Sequence, residues 1–341
     1  MHNILEIKED DMAEYKVFID GSSGTCGLKI DSYLGTRRDI EVVSTNGVRR
    51  RTLNERKRSI ENADIAFLCL PDDASMEIVR ELSDDCRIID TSSAHRTEDG
   101  WVYGMPELTS SQRDKISRSN RVANPGCHAS GFIFLVKPLI EAGLIRPSSH
   151  IMATSLTGYS GGGKKMIADY ESEERIGEKK SPACYGLSQQ HKHLPEMQVM
   201  TGIENPPVFM PMVCDYYSGM LVTVPLMPDM FINAGSDDDA GQGTVISDDG
   251  IEPEDIRRIY ERYYGDEPLV IVNKNTIREG FIYASSMSSH DGIEIMVYGN
   301  KERPIVCARY DNLCKGAAGA AVQNMNIMLG IEETKGLDIR Q

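Results

Sequence analysis

The sequence lacks several features that would assign it to a class of protein at once. No Cys-x-x-Cys pair occurs among its eight cysteines, which argues against zinc ribbons and thioredoxin-type redox centres. No apolar run approaches the roughly 20 residues that a membrane-spanning helix needs, so we expect no membrane partner. Basic residues are in deficit, since 37 Lys and Arg stand against 52 Asp and Glu and give a formal net charge of −15. Binding to nucleic acid needs a basic face, so we expect no nucleic-acid partner either.

The start of the chain also lacks the pattern of a targeting signal. Residues 1–14 read MHNILEIKEDDMAE, an acidic stretch without a basic region followed by an apolar run. It is not rich in Arg and Ser, as organelle transit peptides are. We therefore predict an N-terminal extension over 1–14 on a cytoplasmic protein. Its cysteines, most of them in apolar contexts, are predicted to be buried free thiols.

Short apolar runs alternate with helical spacing over the first part of the chain. Strands are predicted at 15–20, 39–44, 63–70 and 87–90, with helices at 26–34 and 73–82. This alternation predicts an α/β fold with a Rossmann-type, doubly wound parallel sheet and helices on both faces. A length of 341 residues suggests more than one domain, and we place the first at 15–130.

The pattern changes after about residue 130, where a helix over 132–142 is predicted to continue through Pro138. Long connections then separate strand candidates, which favours a mixed or antiparallel sheet in an α+β domain. These candidates lie at 150–156, 220–226, 269–272, 293–298 and 305–310. A Gly- and Asp-rich stretch at 233–250 predicts a mobile loop, and helices are predicted at 253–264 and 317–329. We place the second domain at 131–311 and a C-terminal segment that returns to the first domain at 312–341.

A glycine-rich turn follows the first predicted strand and leads into a helix. Such a turn lets the backbone approach a pyrophosphate, and the helix start offers free amides to it. The candidate cofactor-binding residues here are Gly21, Ser22, Ser23, Gly24, Thr25 and Cys26. The spacing is GxxGxxG rather than GxGxxG, so a turn that only packs the helix on the sheet stays an alternative.

The end of the second predicted strand distinguishes between nicotinamide cofactors. An NAD enzyme usually places an acidic residue about 20 residues after the turn, where it binds the ribose 2′-hydroxyl. Here that region begins at Ser44 and contains no acid, and a run of arginines starts at Arg49. This pattern favours a 2′-phosphate and therefore NADP(H). A solvated surface loop is the alternative interpretation of the arginine run.

Cys127 follows Asn124, Pro125 and Gly126 and stands at the start of a predicted helix. The helix dipole is expected to lower the pKa of such a thiol and raise its thiolate fraction. The spacing alone fits a structural cysteine equally well.

Two further segments are rich in groups that suit proton transfer and the binding of an anion. Residues 191–196 read HKHLPE, which offers a histidine for proton transfer and Lys192 as an anion clamp. A zinc-binding His-x-His pair or surface histidines without a role are the alternatives. Residues 159–165 read YSGGGKK, which offers amides and cations to a phosphate, or forms an ordinary flexible loop.

Longer stretches resemble the N-acetyl-γ-glutamyl-phosphate reductase family in its shorter bacterial type. The matching stretches are GSSGTCGLKI from 21, CLPDDA from 69, DTSSAHRTEDGWVYGMPEL from 90, NPGC from 124, GYSGGGKKMIADYE from 158, HKHLPEM from 191 and DNLCKGAAGAAVQNMN from 311. The resemblance implies the two-domain fold of aspartate-semialdehyde and glyceraldehyde-phosphate dehydrogenases, with a second domain used for catalysis and oligomerisation. It implies NADPH-dependent reduction of an acyl phosphate to N-acetyl-glutamate semialdehyde in arginine biosynthesis.

The resemblance also implies roles for individual residues. Cys127 is the expected nucleophile that forms a thioester, His193 the acid/base and His191 a substrate contact, with the choice between the two histidines left open. Ser160, Gly161, Gly162 and Lys164 are expected to bind substrate, and Pro71 and Asn312 to face the cofactor. We expect no metal, a small-molecule acyl phosphate as the substrate, and a homo-oligomer, either dimer or tetramer.

One departure from the family pattern lies beside the nucleophile. Where the shorter type commonly reads NPGCYPTG, this chain reads NPGCHASG, which places His128, Ala129 and Ser130 there. The fine shape of the pocket is therefore left open. Sister reductases acting on aspartyl phosphate or an acylated aminoadipyl phosphate are alternatives. A non-catalytic NADP-binding sensor with a structural Cys127 is another, and a cysteine hydrolase would leave the glycine-rich turn unexplained.

Overall fold

The computed structural model describes residues 13–44, 52–232, 251–274 and 280–339. The arginine run that includes Arg49, the loop predicted at 233–250 and residues 1–12 of the predicted extension lie outside the described residues. No helix in the described ranges has the length and apolar character needed to cross a membrane.

The first domain is built on a sheet of parallel strands, six of them in the described residues, in the order β2-β1-β3-β4-β6-β5. Its strands are β1 (Tyr15–Asp20), β2 (Ile40–Ser44), β3 (Ile65–Leu68), β4 (Ile88–Asp90), β5 (Val102–Tyr103) and β6 (Arg121–Ala123). The helices between them are α1 (Thr25–Leu34), α2 (Leu53–Glu61), α3 (Asp72–Glu81) and α4 (Gln112–Arg118). The predicted doubly wound parallel sheet is confirmed.

Both faces of this sheet are covered, which explains why its central strands are apolar without alternation. Val17 and Ile19 of β1 pack into one core with Ile30 of α1. Phe18, on the opposite face, packs with Ile60 of α2 and Ile78 of α3. The carboxyl ends of β1 and β3 therefore open between two helical layers, where ligands of such sheets bind.

The second domain is built on a mixed sheet with the order β11-β12-β13-β10-β7-β9-β8 in the described residues. Its strands are β7 (Met152–Gly158), β8 (Ala183–Cys184), β9 (Val208–Cys214), β10 (Met220–Pro225), β11 (Val270–Val272), β12 (Ile293–Asn300) and β13 (Arg303–Tyr310). The helices are α5 (Cys127–Glu141), α6 (Gly163–Glu171), α7 (Leu194–Thr201) and α8 (Pro253–Tyr264). Two pairs, β7 with β9 and β11 with β12, are parallel and the others antiparallel, so the mixed sheet is confirmed.

Helix α5 lies in the centre of this domain and carries Cys127 as its first residue. Ala129 and Phe132 of α5 are fully buried in a core shared with Val222 of β10 and Tyr260 of α8. Pro138 lies inside the helix, which continues to Glu141 as predicted. The nucleophile candidate is thus attached to a helix that the core holds on several sides.

The end of the chain packs on the first domain. A short π-helix (Cys314–Ala318) leads into α9 (Gly319–Leu329). Ala321, Val322 and Met325 of α9 join the core formed by Ile89 and Val122 of the first sheet. The π-helix therefore lies where the two domains meet, a position that such local distortions often occupy near functional sites.

We predict that Gly21→Ala destabilises the protein far more than Gly100→Ala. Both glycines have a positive φ, +82° and +85°. A Cβ at Gly21 would lie 2.2 Å from the Cys69 carbonyl oxygen, whereas one at Gly100 would meet no atom of the described ranges within 4 Å. Gly100→Ala should therefore cost about 1 kcal/mol from backbone strain alone, and Gly21→Ala roughly 4 kcal/mol from strain and overlap together. Urea unfolding measures both, and equal losses would contradict the predicted overlap.

Candidate active site

One cavity of about 620 Å³ brings together residues from both domains and the C-terminal segment. Most of the residues proposed from the sequence line it. They are Ser23, Gly24, Thr25 and Cys26 of the glycine-rich turn, Cys127, Ser160, Gly161, Gly162 and Lys164, His191, His193, and Asn312. The two groups that the chemistry needs side by side, a nucleotide-binding turn and a thiol, therefore face the same space.

Three proposed cofactor residues of the described ranges, Gly21, Ser22 and Pro71, do not line this cavity. Gly21 and Ser22 belong to the glycine-rich turn, and Ser22 is buried. Pro71 is exposed at the start of α3, and its neighbour Leu70 lines the cavity instead. Ser44 ends β2, and Arg49 lies outside the described residues. Their roles toward a cofactor stay predictions.

The glycine-rich turn fits a phosphate group of a dinucleotide. Among the described residues no side chain caps the start of α1, and no acidic residue occupies its first turn, so its free amides and dipole can act on an anion. The Thr25 hydroxyl oxygen is buried on the cavity wall and has no hydrogen-bond partner among the described residues. A buried polar atom without a partner usually marks a place that a ligand or water satisfies.

A buried carboxylate holds the turn formed by residues 124–127, which we call the NPGC turn. Glu196 accepts hydrogen bonds from the Gly126 amide at 3.0 Å, the Tyr103 hydroxyl at 2.7 Å and Arg96 Nη1 at 2.8 Å. Arg96 Nε also donates to the Asn124 carbonyl at 3.0 Å. The fit leaves no room for a side chain at Gly126, because a Cβ there would lie 2.4 Å from Glu196 Oε1. The position of Cys127 is therefore set by the ion pair beside it.

The expectation of a lowered thiol pKa is wrong for the protein without ligands. Burial raises the pKa of Cys127 to about 11. The Arg96 guanidinium and the His128 amide act in the opposite direction, the latter being the helix-start effect expected from the sequence. Desolvation outweighs both, because it penalises the thiolate but not the thiol.

Three histidines cluster beside the thiol. The ring centres of His191 and His193 are 4.7 Å apart, and His128 lies 5.6 Å from each. Burial lowers the pKa of His128 to about 3 and that of His191 to about 4, and holds that of His193 well below its usual range. All three rings are therefore neutral near pH 7.

The two histidines of the HKHLPE segment differ in their free ring atoms. His191 Nδ1 accepts from the His193 backbone amide at 3.2 Å. His193 Nδ1 is buried and has no partner among the described residues. Within those residues, no group of three or more His, Cys, Asp or Glu side chains is arranged to hold a metal ion, so the pair has no set of zinc ligands around it.

Asn312 and Ser160 form the opposite wall of the cavity. Asn312 Nδ2 donates to Ser160 Oγ at 3.0 Å, and Asn312 Oδ1 accepts from the Gly219 amide at 2.9 Å. Asn312 thus braces the segment that leads to Lys164, an exposed cation at the cavity. Its proposed contact with the cofactor stays a prediction.

Sequence reasoning gave no role to some residues that the cavity includes. Arg96 lies in the matched stretch from residue 90, which was the available signal for it. Tyr185 also lines the cavity but stands outside every matched stretch, and no sequence pattern marks it. The prediction of buried cysteines holds for three of the eight, Cys214, Cys307 and Cys314. It is wrong for Cys184, which is exposed on the short edge strand β8, and for four that are only partly buried, Cys26, Cys69, Cys86 and Cys127.

Comparison with known proteins gives the fold a family. Residues 16–116 match the family described as semialdehyde dehydrogenase, NAD binding domain, and residues 127–312 match semialdehyde dehydrogenase, dimerisation domain. The chain is 40% identical over 338 residues to N-acetyl-gamma-glutamyl-phosphate reductase 2 of Nostoc sp., covering 96% of this chain and 100% of that one. It is 40% identical over 321 residues to N-acetyl-gamma-glutamyl-phosphate reductase of Brucella suis, covering 92% and 99%.

The chain belongs to the N-acetyl-gamma-glutamyl-phosphate reductase family of oxidoreductases. The resemblance noted from the sequence is thereby confirmed, and so is the two-domain organisation of a nicotinamide-binding domain with a dimerisation domain.

Solved structures of aspartate semialdehyde dehydrogenases share the fold of this chain. Aspartate semialdehyde dehydrogenase II from Vibrio cholerae, complexed with ASA, matches with a TM-score of 0.68 at 15% identity, covering 93% of this chain and 98% of that one. Aspartate semialdehyde dehydrogenase with NADP from Candida albicans matches with a TM-score of 0.64 at 14% identity, covering 92% and 98%. At this identity the likeness concerns the fold alone.

The raised pKa of Cys127 predicts how its alkylation depends on pH. Because the thiolate is the nucleophile and the pKa is about 11, the rate with iodoacetamide should rise about tenfold per pH unit from 7 to 10. The exposed Cys184 is the internal control, since it reports the reactivity of the reagent at each pH for a thiol that is open to solvent. Peptide mass spectrometry reads both sites, and a plateau for Cys127 below pH 8 would show that burial does not dominate.

Proposed function

We propose that this protein reduces N-acetyl-γ-glutamyl phosphate to N-acetyl-glutamate semialdehyde and phosphate with NADPH, in arginine biosynthesis. The observation that carries the proposal is the single cavity in which the glycine-rich turn and Cys127 meet. The family membership supports the same substrate, because both relatives bear that reductase name and the match covers nearly their whole length.

The charges around the cavity suit an anionic substrate despite the net charge of −15. Lys164 and Lys192 are exposed on its wall, and Arg96 lies behind the NPGC turn. Ser160 adds a hydroxyl group held by Asn312. These groups favour a phosphate in the cavity, and local cations rather than the total charge decide such binding.

The first chemical step forms a thioester. Cys127 sulfur bonds to the acyl carbon while the bond from that carbon to the phosphate oxygen breaks, and phosphate leaves with the electron pair. Because burial raises the pKa of Cys127, the thiol proton must move as the new bond forms. We assign its acceptor as His193, which is neutral and whose buried Nδ1 has no partner among the described residues. His193 then passes the proton on to the leaving phosphate. Glu196 Oε1, 4.0 Å from His193 Nε2, stabilises the cation formed in between.

The second step releases the aldehyde. The glycine-rich turn, through Ser23, Gly24 and Thr25, would hold NADPH, which would supply a hydride to the thioester carbonyl and so leave a negative charge on its oxygen. Backbone amides in the first turn of α5 can stabilise that charge, since Gly126 leaves the start of the helix without a side-chain cap. Collapse of the oxyanion to the carbonyl breaks the carbon–sulfur bond, and the Cys127 thiolate takes up a proton that His193 relays from solvent, which is the proton that the overall reduction consumes.

We further infer that the protein is cytoplasmic and works as a homo-oligomer, a dimer or a tetramer. The match to a dimerisation domain over residues 127–312 supports the second inference.

Assays with three aldehydes test the proposed function. In the oxidative direction, with phosphate and NADP, N-acetyl-glutamate semialdehyde should exceed aspartate semialdehyde and N-acetyl-aminoadipate semialdehyde in kcat/KM by at least ~10-fold, the usual worth of one methylene. Cys127→Ser should remove nearly all turnover and retain NADP binding. Preference for another aldehyde would identify a sister reductase, and turnover by Cys127→Ser would exclude the thioester route.

Variants of the two histidines test their separate roles. His193→Ala should lower kcat by ~10²–10⁴-fold, because a placed proton donor is lost. His191→Ala should mainly raise KM for the aldehyde, since its Nδ1 is already occupied by the His193 amide. Steady-state kinetics measures both. A loss in kcat below about tenfold for His193→Ala, with a larger loss for His191→Ala, would exchange the two roles.

A further inference from the structure

A row of three hydrogen-bonded side chains, Ser155, His128 and Tyr185, stands beside the nucleophile. His128 Nδ1 lies 2.7 Å from Ser155 Oγ, and His128 Nε2 lies 2.6 Å from the Tyr185 hydroxyl. Ser155 and His128 are buried, whereas Tyr185 is half-buried and lines the cavity. The thioester chemistry described above gives none of these side chains a role.

Proton positions in this row follow from counting donors. A neutral imidazole carries one N–H and one lone pair, and burial keeps His128 neutral by lowering its pKa to about 3. If the proton were on Nδ1, it would point at Ser155, and the Ser155 hydroxyl hydrogen would then have no acceptor among the described residues. A buried hydroxyl without a partner costs about 1–3 kcal/mol.

The opposite arrangement gives the buried Ser155 hydroxyl and the buried His128 ring each a partner for its hydrogen. The Ser155 hydroxyl then donates to His128 Nδ1, and His128 Nε2–H donates to the Tyr185 oxygen. The Tyr185 hydroxyl hydrogen is thereby turned away from His128 and toward the cavity, where a ligand can accept it.

We propose that the Tyr185 hydroxyl, aimed by His128 and Ser155, donates a hydrogen bond to the carbonyl oxygen of the acyl group joined to Cys127. This inference rests on the proposed function. Tyr185 is a catalytic residue in this scheme because it touches the reacting oxygen, and His128 and Ser155 are positioning residues. The hydroxyl adds a second kind of donor to the backbone amides of α5 as negative charge develops on that oxygen.

Proximity and charge favour the acyl oxygen over the phosphate as the acceptor. His128, which holds Tyr185, directly follows Cys127 at the start of α5. Burial raises the pKa of Tyr185, and a negative charge on Cys127 raises it further by a smaller amount. The Tyr185 hydroxyl therefore stays protonated close to the sulfur. The cations of the cavity suit a phosphate dianion, whereas a neutral phenol suits a carbonyl that becomes charged only during reaction.

Kinetics of Tyr185→Phe in the oxidative direction tests the proposal. We expect kcat to fall by ~10²-fold, as for other donors to an oxyanion, with the KM for phosphate changed less than about threefold. Ser155→Ala should lower kcat by about 2- to 10-fold, the worth of one neutral hydrogen bond that acts through His128. Tyr260→Phe is the matched control. The buried Tyr260 hydroxyl donates to the Leu135 carbonyl of α5, the helix that also carries His128, at 2.6 Å and away from the cavity. Its kcat should stay within about twofold of wild type.

Two kinetic outcomes would overturn the proposal. A raised KM for phosphate with unchanged kcat in Tyr185→Phe would place the hydroxyl on the leaving group. Equal losses in Tyr185→Phe and Tyr260→Phe would mean that the tyrosine only supports the helix.

The tautomer of His128 gives a readout that does not depend on turnover. In the full chain labelled with 15N-histidine, and with the His128 signal identified by its loss in His128→Gln, we expect the proton on Nε2 at pH 7. A proton on Nδ1 would reverse the direction of both hydrogen bonds in the row. The Tyr185 hydroxyl would then donate to His128 rather than toward the cavity, which would refute the proposal. If wild type lacked turnover while the Nε2 tautomer was found, the proposed function would fail and the direction of the row would still hold.

Discussion

The ion pair between Glu196 and Arg96 joins the two domains at the point where the nucleophile sits. Glu196 lies in the first turn of α7 and accepts hydrogen bonds from the Tyr103 hydroxyl of the first sheet and from the Gly126 amide. Removing one partner of a buried pair costs about 3–5 kcal/mol, because the other charge is left without compensation. The pair therefore holds the NPGC turn in place and joins the HKHLPE segment to that turn. Its two charges also act on the Cys127 thiol.

Around that pair the site keeps its reactive groups uncharged until a substrate enters. Burial favours the thiol of Cys127 and the neutral rings of His128, His191 and His193. Charge then develops on His193 beside Glu196, and on the sulfur, the acyl oxygen and the phosphate, where amides, Lys164 and Lys192 face the cavity. Interactions with charge that develops at buried groups are stronger than those at the surface, because less solvent screens them.

Local patterns predicted the parts of this structure that local forces determine. The Rossmann-type domain could be predicted from the apolar runs of β1 and β3 and from the glycine-rich turn. The stretch around Cys127 likewise predicted the start of a helix, now seen as α5. Strand β9 was missed, since Pro211 inside it argues against a strand, yet it lies between β7 and β8. The thiol pKa was misjudged because desolvation depends on residues distant in sequence. Tyr185 was missed for the same reason, as only tertiary packing brings it to His128.

The placement of Gly316 has a consequence for the synthesis of the chain. A Cβ at this residue of the π-helix would lie 3.1 Å from Cys127 Cβ, so the C-terminal segment closes directly over the nucleophile. A polypeptide still emerging from the ribosome has made Cys127 long before Asn312, Leu313, Gly316 and Ala317, which line the same cavity, are translated. The nascent protein consequently carries this cysteine without its final wall, and the reaction chamber is completed only after a further stretch of about 190 residues has been made.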